Sequence, residues 1–432
     1  MRRSWRRLLA WLLPRRPRWL LPRRPRGLLP RRPRGLLLRL SWAVPLLLFA
    51  AAAPMGACAA FGGTPSGERL ERMKRSPNYA NGKFINLYRI GKFRVGRALR
   101  SFLGGSGHRT PRKPIPLRRL TRQDFARPPA SGLRVTWLGH SSLLVEIDGH
   151  RILTDPVWSW RAGPGLGIGP KRHFAPPLPL DHLPKLDAVI ISHDHYDHLD
   201  MATIRDLAKT SVRFVVPLGV GAHLQRWKVP ASRIVELDWW ESHAVGRVNL
   251  VATPARHGSG RGLADRDATL WASWSLVGPR HRVYFSGDGG YSPSFAEIGR
   301  RYGPFDLTLM ESGAYNTAWA DFHLGPEQAV RAHRDLRGKV MVPIHWGTFV
   351  LAPHGWTEPA ERLVVAARKT ATTLVIPRPG DLVEPASLPR LTRWWPSNPW
   401  RTAAQSPVIA SQPAGYGLLS RGARWQGVTG RR

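Results

Sequence analysis

Residues 191–200 read ISHDHYDHLD and hold three histidines and three aspartates directly after the apolar run DAVII. A buried strand is expected to end before this motif, and His193 and His195 then point to one side because alternate residues of an extended chain share a face. Asp197 and His198 follow in the next turn. Imidazole and carboxylate groups are ligands that a borderline cation such as zinc prefers. The stretch therefore predicts a metal site at a strand end, and the alternative is a set of solvated surface histidines.

Three further polar residues follow other apolar runs. His257 follows RVNLVATPAR, Asp288 follows VYFSG, and His345 follows KVMVPI. Each of these residues taken alone is more often a capped or solvated loop residue. Together, at successive strand ends of a sheet whose first loop already holds ligands, they are expected to gather at one rim and complete the site.

The pattern of apolar runs changes along the chain. Between residues 133 and 157, short β-rich runs are separated by Gly, Asp and Ser, which predicts adjacent strands. After residue 186, strands alternate with helices that are expected to begin at an Asp200 cap, at a Ser292 cap and at Pro326. Adjacent strands followed by strands that alternate with helices predict an α/β protein with two sheets packed face to face and helices outside.

Composition divides the chain into regions of different character. We expect four of them: a basic repeat leader with a signal or anchor (1–61), an irregular N-terminal arm that packs on the main domain (62–130), the main domain (131–387) and a basic polar tail (388–432).

The leader itself has two parts. Units similar to LLPRRPRG repeat every eight residues between 12 and 38, and their prolines prevent a continuous helix. Segment 40–61 has no charge and could cross a bilayer, but the arginines before it and the small residues after it suit a secretory signal better. MGAC resembles a lipoprotein cleavage box with Cys58 as the lipidated residue. We expect a membrane-associated, extracytoplasmic protein; the alternatives are a cytoplasmic protein and a reading frame that starts too early.

Charge is the unusual feature of the composition. The chain has 66 Lys and Arg against 28 Asp and Glu, a net charge of +38. An anionic membrane surface or nucleic acid would attract such a chain, whereas a GC-rich genome would also produce it. Nucleic acid is not the expected partner, because the excess is concentrated in the leader and tail and no nucleic-acid-binding module is recognisable. The single cysteine excludes an internal disulfide.

Several long phrases of the sequence resemble a known family. HDHYDH with the later His257, Asp288 and His345 resembles the metallo-β-lactamase fold hydrolases. SPNYANGKFIN, WLGHSSLLVEIDGHRILTDPVWS, TPARHGSGRGLADRDATLWASW and PIHWGTF are similar to the N-acyl-phosphatidylethanolamine-hydrolysing phospholipase D group and its bacterial relatives. The resemblance covers roughly residues 76–380. One departure is GDGGY, where the relatives usually have Thr before the second Gly, and it leaves the Asp ligand in place.

The resemblance implies a four-layer αββα sandwich that binds two Zn²⁺ ions, although other divalent metals also suit such ligands. One zinc would be held by His193, His195 and His257, the second by Asp197, His198 and His345, with Asp288 bridging. Two cations can share a water and lower its pKa to about 7, so that the resulting hydroxide attacks an ester. Asp197 would orient this hydroxide as a catalytic residue.

Three other residues have expected roles near the metals. By resemblance, His323 in WADFHLGPEQAV contacts the substrate phosphate or aids the leaving group; the alternative is a histidine at a helix start with no role. Asp155 follows a strand and is expected to accept hydrogen bonds from the metal histidines, or else to form a turn before Pro156. His140 in LGHSS is expected to support the ligands in a similar way.

The leading functional prediction is a zinc-dependent phosphodiesterase of phospholipase D type that acts on a phospholipid or related phosphodiester. A lactonase acting on a sugar phosphate or another lactone is the second prediction, because a hydroxide can also attack a carbonyl carbon. A nuclease is the third. A membrane-tethered binding protein with a relic metal site is the non-enzymatic alternative, and the competent residues at all seven ligand positions argue against it.

Overall fold

The apolar runs form strands of two seven-stranded sheets and one hairpin in the computed structural model, which describes residues 59–91, 95–165 and 167–411. The described strands are β1 (Tyr79–Ala80), β2 (Lys83–Phe84), β3 (Leu133–Gly139), β4 (Ser142–Ile147), β5 (His150–Thr154), β6 (Ala188–Ile190), β7 (Arg213–Pro217), β8 (Ile234–Leu237), β9 (Ser242–Val245), β10 (Val248–Thr253), β11 (Ser273–Val277), β12 (Arg282–Phe285), β13 (Phe305–Glu311), β14 (Gly338–Ile344), β15 (Thr373–Leu374) and β16 (Leu382–Val383).

The helices separate these strands mainly in the second half of each sheet. Their bounds are α1 (Gly67–Lys74), α2 (Val95–Leu103), α3 (Met201–Leu207), α4 (Gly221–Arg226), α5 (Ser294–Tyr302), α6 (Pro326–Asp335) and α7 (Glu358–Lys369). Among the helices of the described residues, none has the length and apolar character needed to cross a membrane.

The two large sheets are built alike. One has the strand order β16-β3-β4-β5-β6-β7-β8 and the other β15-β14-β13-β12-β11-β10-β9. In the first sheet the pairs from β16 to β5 are antiparallel and those from β5 to β8 are parallel. In the second, the pairs from β9 to β12 are antiparallel and those from β12 to β15 are parallel. The change from adjacent strands to strands that alternate with helices was expected once along the chain, and it occurs in each sheet because β9–β12 form a second set of adjacent antiparallel strands.

Alternating side chains of each strand serve two different cores. Ala188 and Ile190 of β6 face the core shared with the second sheet, whereas Val189 and its neighbour Ile191 pack in the core under α3 and α4. Helices α5, α6 and α7 pack on the outer face of the second sheet, and α6 contacts β13 and β14 directly. The order of layers is helix, sheet, sheet, helix, so the predicted αββα sandwich is confirmed.

Two of the three predicted helix starts agree with the structure. The Asp200 side chain accepts a hydrogen bond from the backbone N–H of Ala202 and caps α3, and α6 begins at Pro326. The predicted Ser292 cap is wrong. Pro293 already has helical backbone angles and is itself the residue before α5, and no side chain caps that end. At the other end of α5, Gly303 follows the last helical residue.

The arm, residues 62–130, contains more regular structure than the sequence suggested. It holds α1, the β1–β2 hairpin and α2, and it is tied to the main domain by polar contacts. Arg69 pairs with Glu236 at 2.5 Å, and the backbone N–H of Phe84 donates to the carbonyl of Asp267 at 2.8 Å. The leader up to Cys58 and the tail beyond residue 411 lie outside the described residues, so the signal, the lipid anchor and the membrane association stay predictions.

Strand direction determines which strand ends lie at the same edge of a sheet, and so where the candidate site residues can meet. Strands β10 and β12 run in the same direction because each is antiparallel to β11, and β13 and β14 are parallel to β12. In the first sheet, β3, β5 and β6 share a direction for the same reason. The carboxyl ends of the strands in each such set lie at one edge of their sheet, and every predicted site residue except His323 follows one of these ends.

Candidate metal centre

Three imidazole nitrogens form the first ligand group. His193 Nε2 lies 2.8 Å from His195 Nδ1, and His257 Nε2 lies 3.3 Å from the same atom. Burial lowers the pKa of all three histidines, most strongly for His193 and His257. A neutral imidazole is the form that binds a cation. Burial favours this neutral form in all three rings, so they can act as ligands.

The second group contains His198, His345 and Asp197. Asp197 Oδ2 lies 3.5 Å from His198 Nε2 and 3.3 Å from His345 Nε2. Burial alone would lower the pKa of His345, but Asp288 and Asp197 raise it to about 10. The carboxylates therefore favour positive charge at the point where these two rings meet.

Asp288 lies between the two groups. Its Oδ2 is 3.1 Å from both His198 Nε2 and His345 Nε2, and 4.0 and 3.9 Å from His193 Nε2 and His257 Nε2. This position would allow one carboxylate to be shared by two cations, which is the bridging role that the resemblance implies.

Buried atoms without hydrogen-bond partners test whether a metal fits. Within the part of the chain that the structure describes, Asp288 Oδ1 is buried without a hydrogen-bond partner, and the buried His198 Nε2 and His345 Nε2 make only ion-pair contacts with carboxylate oxygens, without a well-aligned hydrogen bond. Buried polar atoms are normally hydrogen-bonded, so such a cluster calls for a specific explanation. Imidazole nitrogens and carboxylate oxygens that converge within 4.8 Å of one another fit divalent cations of the zinc class. The residues present therefore fit the predicted metals.

Asp155 holds the ring of His198. Its Oδ2 lies 2.7 Å from His198 Nδ1, and its carboxylate also accepts from the backbone N–H of Ser192 at 2.7 Å and from the Ser192 hydroxyl at 2.5 Å. With Nδ1–H donated to Asp155, Nε2 of His198 is the atom left to bind a cation. The structure thus brings Asp155 to one of the predicted ligands.

Replacing Asp155 by Asn is expected to lower metal affinity about 10- to 100-fold. An amide can accept from Ser192 N–H but then directs its NH₂ at His198 Nδ1–H, and an unpaired buried donor costs about 1–3 kcal/mol. Chelator competition measures the affinity, and urea unfolding of the metal-free protein measures the stability. Asp148→Asn is the matched control, because Asp148 is also buried but binds His281 and the backbone of Arg280. Equal metal affinity for the two variants would contradict the role of Asp155.

His140 supports Asp197. Its Nε2 lies 2.9 Å from Asp197 Oδ2, and its backbone carbonyl accepts a hydrogen bond from the N–H of His345 at 3.1 Å. Burial lowers the pKa of His140 to about 3, so the ring is neutral and can donate Nε2–H to the carboxylate. His140 therefore orients two predicted ligands through one side chain and one carbonyl.

His323 lies beside the ligands and is joined to a residue that the sequence prediction missed. His323 Nδ1 is 3.8 Å from Asp288 Oδ2 and forms a very short contact with Glu311 Oε1. Glu311 is the last residue of β13 and is completely buried. Burial, and then the nearby Asp288, raise the pKa of Glu311 well above its usual value. A signal for Glu311 was available, since it also ends an apolar strand.

Two more supporting residues were missed. Asn86, in the arm, accepts from the backbone N–H of His257 at 3.1 Å and donates to its carbonyl at 2.7 Å. Asp194 accepts from the backbone N–H of Gly260 at 2.7 Å and from Thr269 at 2.8 Å, and it lies 3.2 Å from His223. Asn86 ends the phrase SPNYANGKFIN, and Asp194 stands inside the HDHYDH motif, but neither position reveals its partner.

A cavity of about 690 Å³ opens onto the site. Five of its lining residues are predicted site residues: His195, Asp197, His257, Asp288 and His323. Much of its remaining wall is apolar and comes from separate parts of the chain: Ala98, Phe102, Leu263, Ala314, Trp319, Phe322 and Leu351. The cavity thus combines a polar ligand cluster with an apolar wall.

Comparisons of the sequence with known proteins find relatives named as a phospholipase D and as a metal-dependent hydrolase. The sequence pattern of the family described as "Beta-lactamase superfamily domain" matches residues 150–346, which contain all seven candidate ligands. An uncharacterized protein of Mycobacterium tuberculosis is 51% identical over 331 residues, 74% of this chain and 88% of that protein. A Caenorhabditis elegans protein named N-acyl-phosphatidylethanolamine-hydrolyzing phospholipase D 1 is 38% identical over 256 residues, 56% of this chain and 70% of that protein. A Hyperthermus butylicus protein named as a metal-dependent hydrolase is 28% identical over 58% of this chain and 98% of its own length.

Proposed function

Because the chain belongs to the metallo-β-lactamase superfamily of metal-dependent hydrolases, we propose that it cleaves a phosphodiester bond in a phospholipid or a related molecule. The observation that carries the proposal is the cavity in which a cluster of histidines and carboxylates faces an apolar wall. The relative from Caenorhabditis elegans, whose name describes a phospholipase D, supports the same substrate class.

The size and lining of the cavity suit part of a lipid. About 690 Å³ lies within the range of small-molecule sites, which are mostly apolar with a few placed polar groups. An acyl chain would contact Phe102, Trp319 and Leu351, while the phosphate would lie against the ligand cluster. Arg266 also lines the cavity, where it pairs with Asp267 at 3.4 Å.

Two groups of residues would hold the cations. His193, His195 and His257 form one group, and Asp197, His198 and His345 the other, with Asp288 between them. Bound cations would supply a water of lowered pKa and would stabilise the negative charge that develops on the phosphate oxygens.

The chain's own residues orient the reactants. Asp197 receives a hydrogen bond from His140, and its side chain remains 16% exposed and lines the cavity. It can therefore accept a hydrogen bond from the attacking water and align it. His323 is 18% exposed on the same cavity and can contact the phosphate or the leaving oxygen. A bound substrate would displace water from the apolar wall, which would strengthen each of these polar contacts.

A side-by-side assay tests the proposal. Zinc-loaded protein is given bis(p-nitrophenyl) phosphate, an N-acyl phosphatidylethanolamine, a sugar-phosphate lactone and single-stranded DNA. We expect turnover of the two phosphodiesters. Preferred turnover of the lactone would replace the proposal with a lactonase, and preferred turnover of DNA would replace it with a nuclease. No turnover of any substrate by the metal-loaded protein would favour a binding protein.

Replacing Phe102 by Asp is expected to raise the KM for a short-chain N-acyl phosphatidylethanolamine about tenfold, since tenfold corresponds to ~1.4 kcal/mol of lost apolar contact. The activity on bis(p-nitrophenyl) phosphate should change little, because that substrate has no acyl chain. Steady-state kinetics with monomeric substrate measure both values. Leu99→Asp is the matched control on the same helix, since Leu99 is 61% exposed and lies outside the cavity lining. An equal effect of both variants would argue against an acyl-binding wall.

A further inference from the structure

Glu311 touches three parts of the site at once. Its Oε2 accepts a hydrogen bond from the backbone N–H of Gly289 at 2.8 Å, next to Asp288. Its Oε1 contacts His323 Nδ1 and lies 3.7 Å from His345 Nδ1. The carboxylate is completely buried, so its oxygens face these groups and not water.

The proposal concerns the protonation of Nδ1 on His345 and on His323. His345 directs Nε2 at Asp197 and Asp288, and an imidazole that binds a cation through Nε2 carries its proton on Nδ1. His345 Nδ1 has no hydrogen-bond partner within the described residues, and Glu311 Oε1 is the carboxylate oxygen facing it. His323 Nδ1 meets the same oxygen. One carboxylate oxygen therefore faces two ring Nδ1 atoms: it contacts that of His323 directly and lies 3.7 Å from that of His345.

We propose that Glu311 is a positioning residue that holds both His345 and His323 with Nδ1 protonated, so that Nε2 of His345 faces the metal ligands and Nε2 of His323 faces the substrate. The part that concerns His323 rests on the proposed function, because it assumes a substrate beside that ring. The part that concerns His345 requires only a cation at the predicted ligands. The backbone N–H of Gly289 occupies Oε2 and the two Nδ1 atoms face Oε1, so Glu311 is placed to accept at both oxygens.

An amide at this position would reverse one hydrogen bond. The side chain introduced by Glu311→Gln has one oxygen and one NH₂ group. The backbone N–H of Gly289 cannot change its role, so the amide oxygen goes there and NH₂ points at the two rings. His323 can adapt by moving its proton from Nδ1 to Nε2. His345 cannot adapt while a cation holds its Nε2, and its Nδ1–H then meets another donor.

The first test uses the unaltered protein. Nitrogen-15 spectra of the histidine side chains, recorded on the zinc-loaded full chain, distinguish the two neutral tautomers of His323. The proposal expects the proton on Nδ1. A proton on Nε2 with an unprotonated Nδ1 would mean that Glu311 donates to the ring, and this result would overturn the proposal without any variant.

The second test uses Glu311→Gln. We expect zinc affinity, measured by chelator competition, to fall about 10- to 100-fold and the His323 proton to move to Nε2. Glu146→Gln is the control, because Glu146 is also a buried glutamate but pairs with Arg134 and Arg151 in the first sheet. Native affinity together with unchanged His323 spectra in Glu311→Gln would overturn the proposal. Neither readout requires turnover, so a failed phosphodiesterase assay would leave this test intact.

Discussion

Removing divalent metal from the purified protein is expected to abolish hydrolysis, with a loss of about 10³-fold or more. Metals supply several kcal/mol of charge stabilisation together with the lowered pKa of the water, and each ~1.4 kcal/mol is a factor of ten in rate. No side chain in the described part of the cavity replaces these effects: Asp197 and His323 can align a water and a phosphate but cannot activate the water to the same degree.

The measurement is a chelator-treated preparation assayed with bis(p-nitrophenyl) phosphate, followed by titration with zinc. Activity should return in full, and the equivalents needed per chain determine whether one or two cations are required. Binding should also stabilise the fold, by about 4 kcal/mol when free metal is 1,000 times its Kd. A metal-free preparation that retains full turnover would refute the metal centre as the source of activity. Restoration by iron or manganese better than by zinc would change only the identity of the metal.

Replacing Asp288 by Asn is expected to reduce activity by about 10³-fold and to lower the number of bound cations. Asp288 Oδ2 is the atom within 3.1 Å of both His198 Nε2 and His345 Nε2 and about 4 Å from the first group. The amide removes the negative charge that balances the cations and presents either an oxygen or an NH₂ group to them, and NH₂ is not a ligand.

Metal analysis and steady-state kinetics on the same preparation measure both effects. Asp306→Asn is the control. Asp306 lies near the start of β13 in the same sheet, and its hydrogen bonds go to Lys339 and the backbone of Arg282. That variant should retain its metals and its activity. An Asp288→Asn protein with two cations and near-native turnover would show that Asp288 does not bridge, and the zinc ligands would then have to be reassigned.

Local sequence patterns were enough to identify most of the sandwich. The runs around β3–β6 and β10–β14 alternate with helices or turns, and a short apolar run bounded by turn residues indicates a buried strand without any knowledge of its partners. The short edge strand β16 was not predictable in this way. β16 has only two residues, Leu382 and Val383, within PRPGDLVEP, and it is a strand because β3 offers it an edge. Its extended state depends on a neighbour distant in the sequence.

The candidate site likewise contains some residues that the sequence identifies and others that only the structure reveals. His193, His195, Asp197 and His198 fall within six residues, so their proximity is a property of the chain itself. His257, Asp288 and His345 could be identified as strand-end residues of ligand type. Glu311 has the same position and a suitable side chain, but nothing in the neighbouring residues distinguishes a carboxylate that supports two histidines from one that faces solvent.

The sequence by itself determined which residue types stand at the strand ends and which strands are buried, because both depend on the chemistry of a few adjacent residues. The tertiary structure alone decided which nitrogen of each histidine faces the ligand groups, which carboxylate holds which ring, and which apolar side chains form the cavity wall. These features depend on distances between atoms that the chain brings together only when the two sheets pack. A difference of one ångström or one ring flip changes them, and no local pattern of residues encodes such a difference.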